Sequence, residues 1–374
     1  MEGGFRIAEF FAGIGLVGAA AKSVGGAIAF ANDIEPLKHA VYTGNYPDDP
    51  FSLGDIRDIG GGDIPDVELA TASFPCTDLS LAGNRAGLAG AESGMFWEFA
   101  RVIREMGDRA PDGVLLENVP SFATSHQGRD LEDAIRELND LGYVCDLLLV
   151  NAAHFVPQSR PRLFIVGLRE PWEEAKDPAP SSLRPPWIQR FLSARPELRV
   201  RLRDYPEPPS TSATLADVVE RLDADDERWW EPERVQRFKA EMVKLQSERL
   251  EAMVRSTQVS WRSAYRRTRS GKSVWEMRQD EIAGCLRTAR GGSSKQALVE
   301  AGDGQLRVRW MTPREYARLQ GVPDSFRLGS VSANQALFGL GDAVCVPAVE
   351  WVLRVAVLPN LRPSAAADNA MAIA

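Results

Sequence analysis

The feature that most constrains the fold is an alternation of short apolar runs with helical stretches across residues 5 to 168. Each apolar run has the length of a strand; the runs are FRIAEFF, AIAFAND, VELATASF, GVLLEN, Val144 to Val150 and Leu163 to Leu168. Helical stretches lie between them, at Pro36 to Tyr46, Met95 to Met106 and Leu131 to Leu141. This alternation predicts an α/β fold, with a mostly parallel sheet and helices on both faces.

Beyond Pro171 the pattern changes, which predicts a second, smaller and irregular domain. The proline-rich pieces DPAPSSLRPPW and YPEPPS interrupt regular structure, and Trp229 to Met253 then reads as helical. Four apolar residues there repeat at three- and four-residue steps, as on a core-facing helix: Val235, Phe238, Met242 and Leu245. TPREYARLQG predicts a capped helix, GDAVCVPAVEWVLRVAVL a turn and a buried helix, and residues 361–374 a flexible tail.

Charge argues both against and for a polyanionic partner. The chain carries a net charge of −8, whereas phosphate binding depends on Lys and Arg. Residues 255 to 295 nevertheless net +7, leaving −15 elsewhere. Such a basic segment suits a polyanion held on one face, although a solvated charged surface would give the same count. The bases are Arg255, Arg262, Arg266, Arg267, Arg269, Lys272, Arg278, Arg287, Arg290 and Lys295.

The cysteines and the N-terminal residues indicate a reducing compartment. Cys76, Cys145, Cys285 and Cys345 lie far apart, so neither a metal site nor a disulfide is expected. Each is then a buried small residue or a working thiolate. No run was seen to approach the roughly 20 apolar residues of a membrane span, and the start MEGGFRIAEFF is unlike a secretory signal. We therefore expect a cytoplasmic protein.

A glycine-rich turn follows the first strand and predicts a nucleotide-bearing ligand. Gly13, Gly15 and Gly18 give the spacing G-x-G-x-x-G, and Asp33 ends the second strand about twenty residues later. A carboxylate there can accept hydrogen bonds from two ribose hydroxyls. The pattern fits a Rossmann-like nicotinamide dehydrogenase and an S-adenosylmethionine-dependent methyltransferase equally well, and a tight turn without a ligand also produces it.

Three further pieces place reactive groups where strands end or begin. Pro75-Cys76 follows a strand, Glu117 ends the next one, and QSRPR sets Arg160 and Arg162 before the last strand. Parallel sheets carry their chemistry at these strand ends. A thiol, a carboxyl and two guanidinium groups could act as nucleophile, acid and oxygen-binding groups, while each also has a purely structural interpretation.

Together these motifs resemble the cytosine carbon-5 DNA methyltransferase family. The blocks, in chain order, are FAGIGLVG, PCTDLSLAGNRAGL, LLENVP, QSRPRLFIVG, RTARGGSSKQALV, TPREYARLQGVPDSF and GDAVCVPAVEW. A dehydrogenase has no reason to carry the last six. The resemblance implies a class I methyltransferase domain over residues 1–183, completed by 332–360, and a target-recognition domain over 184–331.

The resemblance also implies roles in catalysis. Cys76 would add to carbon 6 of cytosine, which makes carbon 5 electron-rich. Glu117 would serve ring nitrogen 3 as an acid, which requires a desolvated pocket to hold the carboxyl protonated. Arg162 would contact the cytosine carbonyl and steady Glu117, while Arg160 and Gln158 would support it. The base that removes the carbon-5 proton has no candidate residue.

For S-adenosylmethionine, the resemblance implies a contact set that spans most of the blocks. Its members are Phe11, Gly13, Gly15, Leu16, Asp33, Ile34, Asp55, Ile56, Pro75, Asp342 and Val344. Two positions depart from the family pattern. Asp33 is shorter than the usual glutamate, and Asp342 replaces an asparagine, so its side chain cannot donate an amide hydrogen bond.

The implied substrate is double-stranded DNA from which the target cytosine is flipped. The residues expected to contact it are Gln158, Ser80, Arg85, Arg287, Arg290 and Lys295. A cognate restriction endonuclease or defence-system proteins are the expected partners, and a monomer the expected state. A tRNA cytosine-5 methyltransferase and a catalytically silent DNA-binding paralogue stay open as alternatives.

Overall fold

The computed structural model describes residues 4–75, 87–90, 94–169, 180–269, 271–287, 295–329 and 331–361. These fall into two compact units. The first, called the sheet unit, comprises described residues up to 151, 161–208 and those from 348 onward. The second, called the small unit, comprises 152–160 and 209–347. The sheet unit is thus assembled from three stretches of chain.

The sheet unit contains seven strands in the order β3-β2-β1-β4-β5-β7-β6. Its elements are β1 (Phe5–Phe10), α1 (Leu16–Ser23), β2 (Gly26–Asp33), α2 (Pro36–Asn45), β3 (Phe51–Leu53), β4 (Leu69–Ala72), α3 (Met95–Met106), β5 (Gly113–Asn118), α4 (Arg129–Asp140), β6 (Val144–Asn151), β7 (Pro161–Leu168) and α5 (Pro186–Ser193). The mostly parallel α/β architecture predicted from the sequence is confirmed.

One strand runs against the others. β7 pairs antiparallel with both β5 and β6. Residues 152–160 connect β6 to β7, and a parallel crossover needs a dozen or more residues. The short connection therefore reverses the strand, and it sets Asn118 opposite Leu163 at the end of β5.

The core of the sheet unit lies between the sheet and its helices. Helix α3 shows how the sequence produces it, because Phe96, Phe99, Val102 and Ile103 repeat at helical spacing and are almost completely buried. This core also contains Cys145, which is therefore a buried small residue, one of the two roles that the sequence predicts for a cysteine here.

The sheet unit extends further along the chain than the predicted boundary at 183. Arg184 forms an ion pair with Asp146 at 2.7 Å, and both side chains are nearly inaccessible. Leu198 and Leu202 join the core of the same unit. Residues 184–208, which the sequence assigned to the small domain, therefore pack with the sheet. The buried Asp146 carboxylate needs a positively charged partner, and Arg184 of this segment provides it. Conversely, residues 332–347 group with the small unit.

The small unit is more regular than the irregular domain expected. Its elements are α6 (Leu215–Val218), α7 (Pro232–Ala240), α8 (Lys244–Arg255), β8 (Ser260–Arg269), β9 (Lys272–Met277), β10 (Ala297–Gly302), β11 (Gln305–Trp310), α9 (Pro313–Leu319) and α10 (Ala333–Asp342). The four strands form an antiparallel sheet in the order β11-β10-β8-β9. Trp230, Phe238 and Trp275 pack in its core.

The helix predicted from Trp229 to Met253 is in fact two helices. The chain breaks between α7 and α8 at residues 241–243, so the apolar stripe changes register. Phe238 and Met242 are buried as predicted, whereas Leu245 is 56% exposed. The predicted capped helix at TPREYARLQG is confirmed, because the Thr312 hydroxyl accepts the Glu315 amide.

The C-terminal segment contains a long apolar stretch, although the sequence analysis expected no run close to the length of a membrane span. Ala333–Asn360 is long and apolar enough to cross a bilayer, but 67% of its most apolar window is buried within the protein, as in a core helix. It contains α10 and α11 (Val346–Val352). Arg354 then donates to the carbonyl of Ser23 at the end of α1, over 3.3 Å.

Candidate active site

Glu117 and Arg162 meet at the strand ends predicted to carry the chemistry. Glu117 is the penultimate residue of β5, and Arg162 lies near the start of the neighbouring β7. Arg162 Nε is 2.7 Å from Glu117 Oε1, and both side chains are largely buried. Arg162 also donates to the Pro161 carbonyl over 2.9 Å. The pair therefore presents a carboxyl and an oriented guanidinium side by side at the strand ends.

Asn118, to which the sequence analysis gave no role, holds the end of β5 in place. Its Nδ2 donates to the Phe74 carbonyl over 3.1 Å, and its Oδ1 accepts the Val119 amide over 2.8 Å. The side chain is 3% exposed. It therefore fixes the end of β5 to the residue that precedes Pro75-Cys76. Its place directly after Glu117 in LLENVP was the available signal.

The glycine turn after β1 has the left-handed backbone that its sequence demands. Phe11, Gly13 and Gly15 have φ of 56°, 58° and 85°. Asp33 braces this turn, because its Oδ2 accepts the Gly13 amide over 2.8 Å and its Oδ1 accepts the Glu35 amide over 2.9 Å. A carboxylate oxygen has a second lone pair, so Asp33 retains capacity for ribose hydroxyls.

The structure places the other predicted cofactor contacts in different surroundings. Ile34 is 61% exposed beside the glycine turn, whereas Leu16 and Ile56 are buried. Asp55 accepts the Arg57 amide and pairs with its guanidinium, which holds the pKa of Asp55 below its ordinary value. In the small unit, Asp342 is exposed and Val344 buried. Pro75 is the last described residue before a gap.

Comparison with known proteins decides between the ligand classes. The model of the family described as C-5 cytosine-specific DNA methylase matches residues 5–357. The chain belongs to this family. Members use S-adenosylmethionine as the methyl donor, so the dehydrogenase alternative is excluded.

Similar proteins are bacterial and align along nearly the whole chain. The type II methyltransferase M.DsaV of Dactylococcopsis salina is 28% identical over 93% of this chain and 84% of its own length. M.HhaI of Haemophilus parahaemolyticus is 26% identical over 93% of both chains. Among solved structures, a Spodoptera frugiperda DNMT2 mutant has a TM-score of 0.63 at 18% identity, covering 94% of this chain and 98% of its own. That last likeness shows the fold alone.

Two residues of this methyltransferase, Arg160 and Gln158, have the backbone contacts that a supporting role requires. Arg160 is buried and donates to the carbonyls of Leu286 and Ala343 over 2.9 and 2.6 Å. Gln158 is fully buried, and its amide donates to the Leu319 carbonyl over 2.7 Å. Both therefore organise the small unit's backbone. Gln158 is fully buried in this conformation, and its contact with DNA stays a prediction. The contacts of Arg160 fit the supporting role that the resemblance implies for it.

Four predicted residues, Cys76, Ser80, Arg85 and Arg290, lie outside the described residues. Arg287 is exposed, and Lys295 donates to Asn334 Oδ1 over 2.5 Å. The basic segment contains more internal pairing than its composition suggested. Its paired arginines are Arg255, Arg262, Arg266, Arg267, Arg269 and Arg278, some of them with acids from outside the segment. Arg255 and Arg269 are well exposed, and because exposed pairs are weak, these two arginines stay available to an external anion.

A buried carboxyl, Glu9, lies beneath the glycine turn and was not anticipated. It is 1% exposed, and no described residue gives either oxygen a hydrogen bond of good geometry. Burial raises the pKa of Glu9 to about 8; the nearby Gly18 amide opposes the rise, while Asp49 adds to it. Glu9 is therefore mostly protonated at neutral pH, in contrast to an ordinary surface glutamate.

Glu9→Gln is expected to flatten the pH dependence of stability. Because the folded-state pKa lies above the unfolded value of 4.5, the contribution of Glu9 is complete below pH 4.5 and is lost as pH rises towards 8. In that window the slope from this group approaches about 1.4 kcal/mol per pH unit. Glutamine does not titrate, so the variant should gain on the wild type as pH rises. Urea unfolding at pH 5 to 8 measures this, and parallel curves for the two proteins would contradict it.

Asp33→Asn is expected to weaken S-adenosylmethionine binding by roughly tenfold to a hundredfold. The amide group can accept only one of the two backbone N–H groups that Asp33 now accepts, so the half-buried turn at Gly13 is held less firmly. The amide also loses the charged acceptor for ribose hydroxyls, and a hydrogen bond to a charged group contributes about 1.5 to 3 kcal/mol. Isothermal titration with S-adenosylmethionine gives the dissociation constant. Asp58→Asn, at an exposed position outside the proposed contact set, is the matched control and should bind like the wild type.

Proposed function

We propose that this chain is a DNA (cytosine-5-)-methyltransferase that modifies a cytosine flipped out of duplex DNA at one short recognition sequence. The observation that carries the proposal is the Glu117–Arg162 pair at the ends of β5 and β7. The Asn118 contact ties that pair to Phe74, just before Pro75-Cys76. Family membership fixes the reaction class, and the site supports an active member over a silent binding paralogue.

The proposed chemistry uses one nucleophile and one polar pair. The Cys76 thiolate forms a bond to carbon 6 of the cytosine, and the displaced electron density moves to carbon 5 and towards nitrogen 3. Glu117, in its protonated form, donates its proton to nitrogen 3 as the thiolate adds and takes it back once carbon 5 has been methylated, and Arg162 holds the ring carbonyl oxygen. Bound S-adenosylmethionine supplies the electrophilic methyl group. Loss of the carbon-5 proton, with water as the acceptor, then lets the thiolate leave.

The cofactor proposal has support from this structure. At Gly15 a Cβ would meet the rings of Tyr42 and Tyr46 at 2.9 Å, so tight packing requires glycine there. Gly13 is only half-buried, and a Cβ there would meet no atom closer than 4.0 Å, so its backbone is open to a ligand. Asp33 beside this turn suits ribose hydroxyls, and the exposed Ile34 offers an apolar surface to an adenine ring. Asp55, with Asp342 and Val344, completes the proposed set.

The proposed setting follows from the relatives, which are named as type II methyltransferases. We assign this chain to a restriction-modification or related defence system, acting as a cytoplasmic monomer with a cognate endonuclease as partner. The small unit, with Arg287 exposed and Lys295 nearby in sequence, supplies the proposed DNA-reading surface, together with Ser80, Arg85 and Arg290.

The deciding experiment maps 5-methylcytosine in the DNA of a methylation-free host that expresses either the wild type or Cys76→Ser. Enzymatic conversion sequencing should show methylation confined to one short sequence, and none with the variant. Methylation by both proteins would overturn the role of Cys76. Methylated host tRNA with unmodified DNA would replace the proposal by the RNA alternative.

A further inference from the structure

The chain between Glu117 and helix α4 contains an unusual left-handed turn. His126 and Gln127 have φ of 44° and 62°, and Gly128 follows at 89°. A non-glycine residue in this region costs energy, and two in succession persist only where surrounding contacts hold them. One such contact is Arg195, which donates to the Gln127 carbonyl over 3.3 Å and pairs with Glu132 at 2.7 Å.

The turn delivers a histidine to a buried carboxylate. His126 Nδ1 lies 3.0 Å from Asp130 Oδ2, and Asp130 is 5% exposed. The other oxygen, Oδ1, accepts the backbone amide of Leu88 over 3.2 Å. Leu88 is itself buried, and its carbonyl accepts the Trp97 indole N–H over 3.2 Å. Leu88 is therefore held at both its amide and its carbonyl.

Gly87 leaves room for this arrangement. A Cβ at Gly87 would collide with the Asp130 carboxylate and the His126 ring, and the residue also has a left-handed φ of 61°. Only glycine can satisfy both conditions without moving the anchor. Gly87, the left-handed turn at His126 and the buried Asp130 carboxylate therefore all help to hold Leu88 in place.

Leu88 is also the fixed point at which the chain returns after Cys76. Eleven residues, 76–86, separate Pro75 from Gly87. Asn118 holds Phe74 on one side of this stretch, and Asp130 holds Leu88 on the other. Asn118 and Asp130 both follow Glu117 closely in sequence. One segment of chain therefore holds Phe74, before the proposed nucleophile, and Leu88, after it.

We propose that His126 and Asp130 are positioning residues that hold Leu88 and Gly87 in place, and that methyl transfer through Cys76 depends on this anchor. This rests on the proposed role of Cys76. Misplacement by about 1 Å costs a reaction roughly a hundredfold, so a loosened anchor lowers kcat while the S-adenosylmethionine turn stays intact.

A glycine pair tests the proposal with a matched control. Gly87→Ala and Gly107→Ala both place alanine at a φ near 60°, but no atom lies within 4 Å of a Cβ at Gly107. Both variants should lose stability, Gly87→Ala more than Gly107→Ala because its Cβ also meets Asp130 and His126, so kcat is compared at a temperature at which both variants are folded. Only Gly87→Ala should lower kcat, by about tenfold or more, with the KM for S-adenosylmethionine changed less than about twofold. Equal kcat in the two variants would overturn the proposal.

A second arm reads the anchor without methylation. Asp130→Ala should speed hydrogen exchange at the Leu88 amide, while Asp130→Asn, which keeps an acceptor, should restore both protection and most of kcat. Unchanged exchange in Asp130→Ala would refute the anchor whatever the reaction is. A wild type that methylates no nucleic acid would instead count against the proposed function, and the exchange result would still decide the anchor.

Discussion

Cys76→Ser is expected to lower the single-turnover methylation rate by about 10⁴-fold or more, because removal of a covalent nucleophile is among the largest single losses an enzyme shows. A serine hydroxyl is almost wholly protonated at neutral pH, whereas a few per cent of an ordinary thiol is thiolate. The variant should still bind S-adenosylmethionine, since Cys76 lies outside the proposed cofactor set.

A mechanism-based duplex sharpens this test. With fluorine at carbon 5 of the target cytosine, the final elimination has no proton to lose, so the wild type should remain covalently joined to DNA and Cys76→Ser should not. Cys285→Ser is the control, because Cys285 is a half-buried thiol of the small unit. A covalent complex formed by Cys76→Ser would disprove the assignment of the nucleophile.

Glu117→Gln is expected to lower kcat by about 10²- to 10⁴-fold, the usual range for loss of a general acid. Glutamine preserves the shape of the side chain but cannot transfer a proton or form the 2.7 Å ion pair with Arg162. Pre-steady-state methylation of a duplex containing the recognition sequence gives the rate. Thermal unfolding with and without S-adenosylmethionine shows whether the fold and the cofactor site survive.

Arg162→Lys separates charge from geometry in the same pair. Lysine keeps the positive charge but lacks the planar fork that reaches Glu117 and the substrate oxygen together. Its loss should be smaller than that of Glu117→Gln, and the double variant should lose less than the product of the two. A Glu117→Gln variant within about threefold of the wild type would remove Glu117 from the proposed chemistry.

Most of the sheet unit could be predicted because its strands and helices have strong local signals. β5 and α3 have the predicted limits, Gly113–Asn118 and Met95–Met106. The direction of β7 could not be predicted from its apolar run, because a buried strand has the same composition in either direction. The length of the preceding connection would have revealed it.

In the candidate site, too, residues with a local sequence signal could be predicted, and residues whose partners are distant in sequence could not. Glu117 and Arg162 were found because each ends or begins a strand, and the two lie together. Asn118, His126 and Asp130 were missed because their partners are more than 35 residues away or depend on a left-handed turn. The burial of Gln158 could not be predicted, because its hydrogen-bond partners lie more than 100 positions later in the chain.

The three-part assembly of the sheet unit has a consequence for how the protein is made. Leu361 lies against Gly113 of β5, and Arg203 bonds to Asn360, so residues near 360 close over strands translated some 250 residues earlier. On the ribosome, the nascent sheet must wait through translation of the whole small unit before these contacts can form. Chains interrupted before residue 348 would keep that part of the core uncovered and be substrates for chaperones and proteases, so only fully translated copies would reach a stable, modifying form.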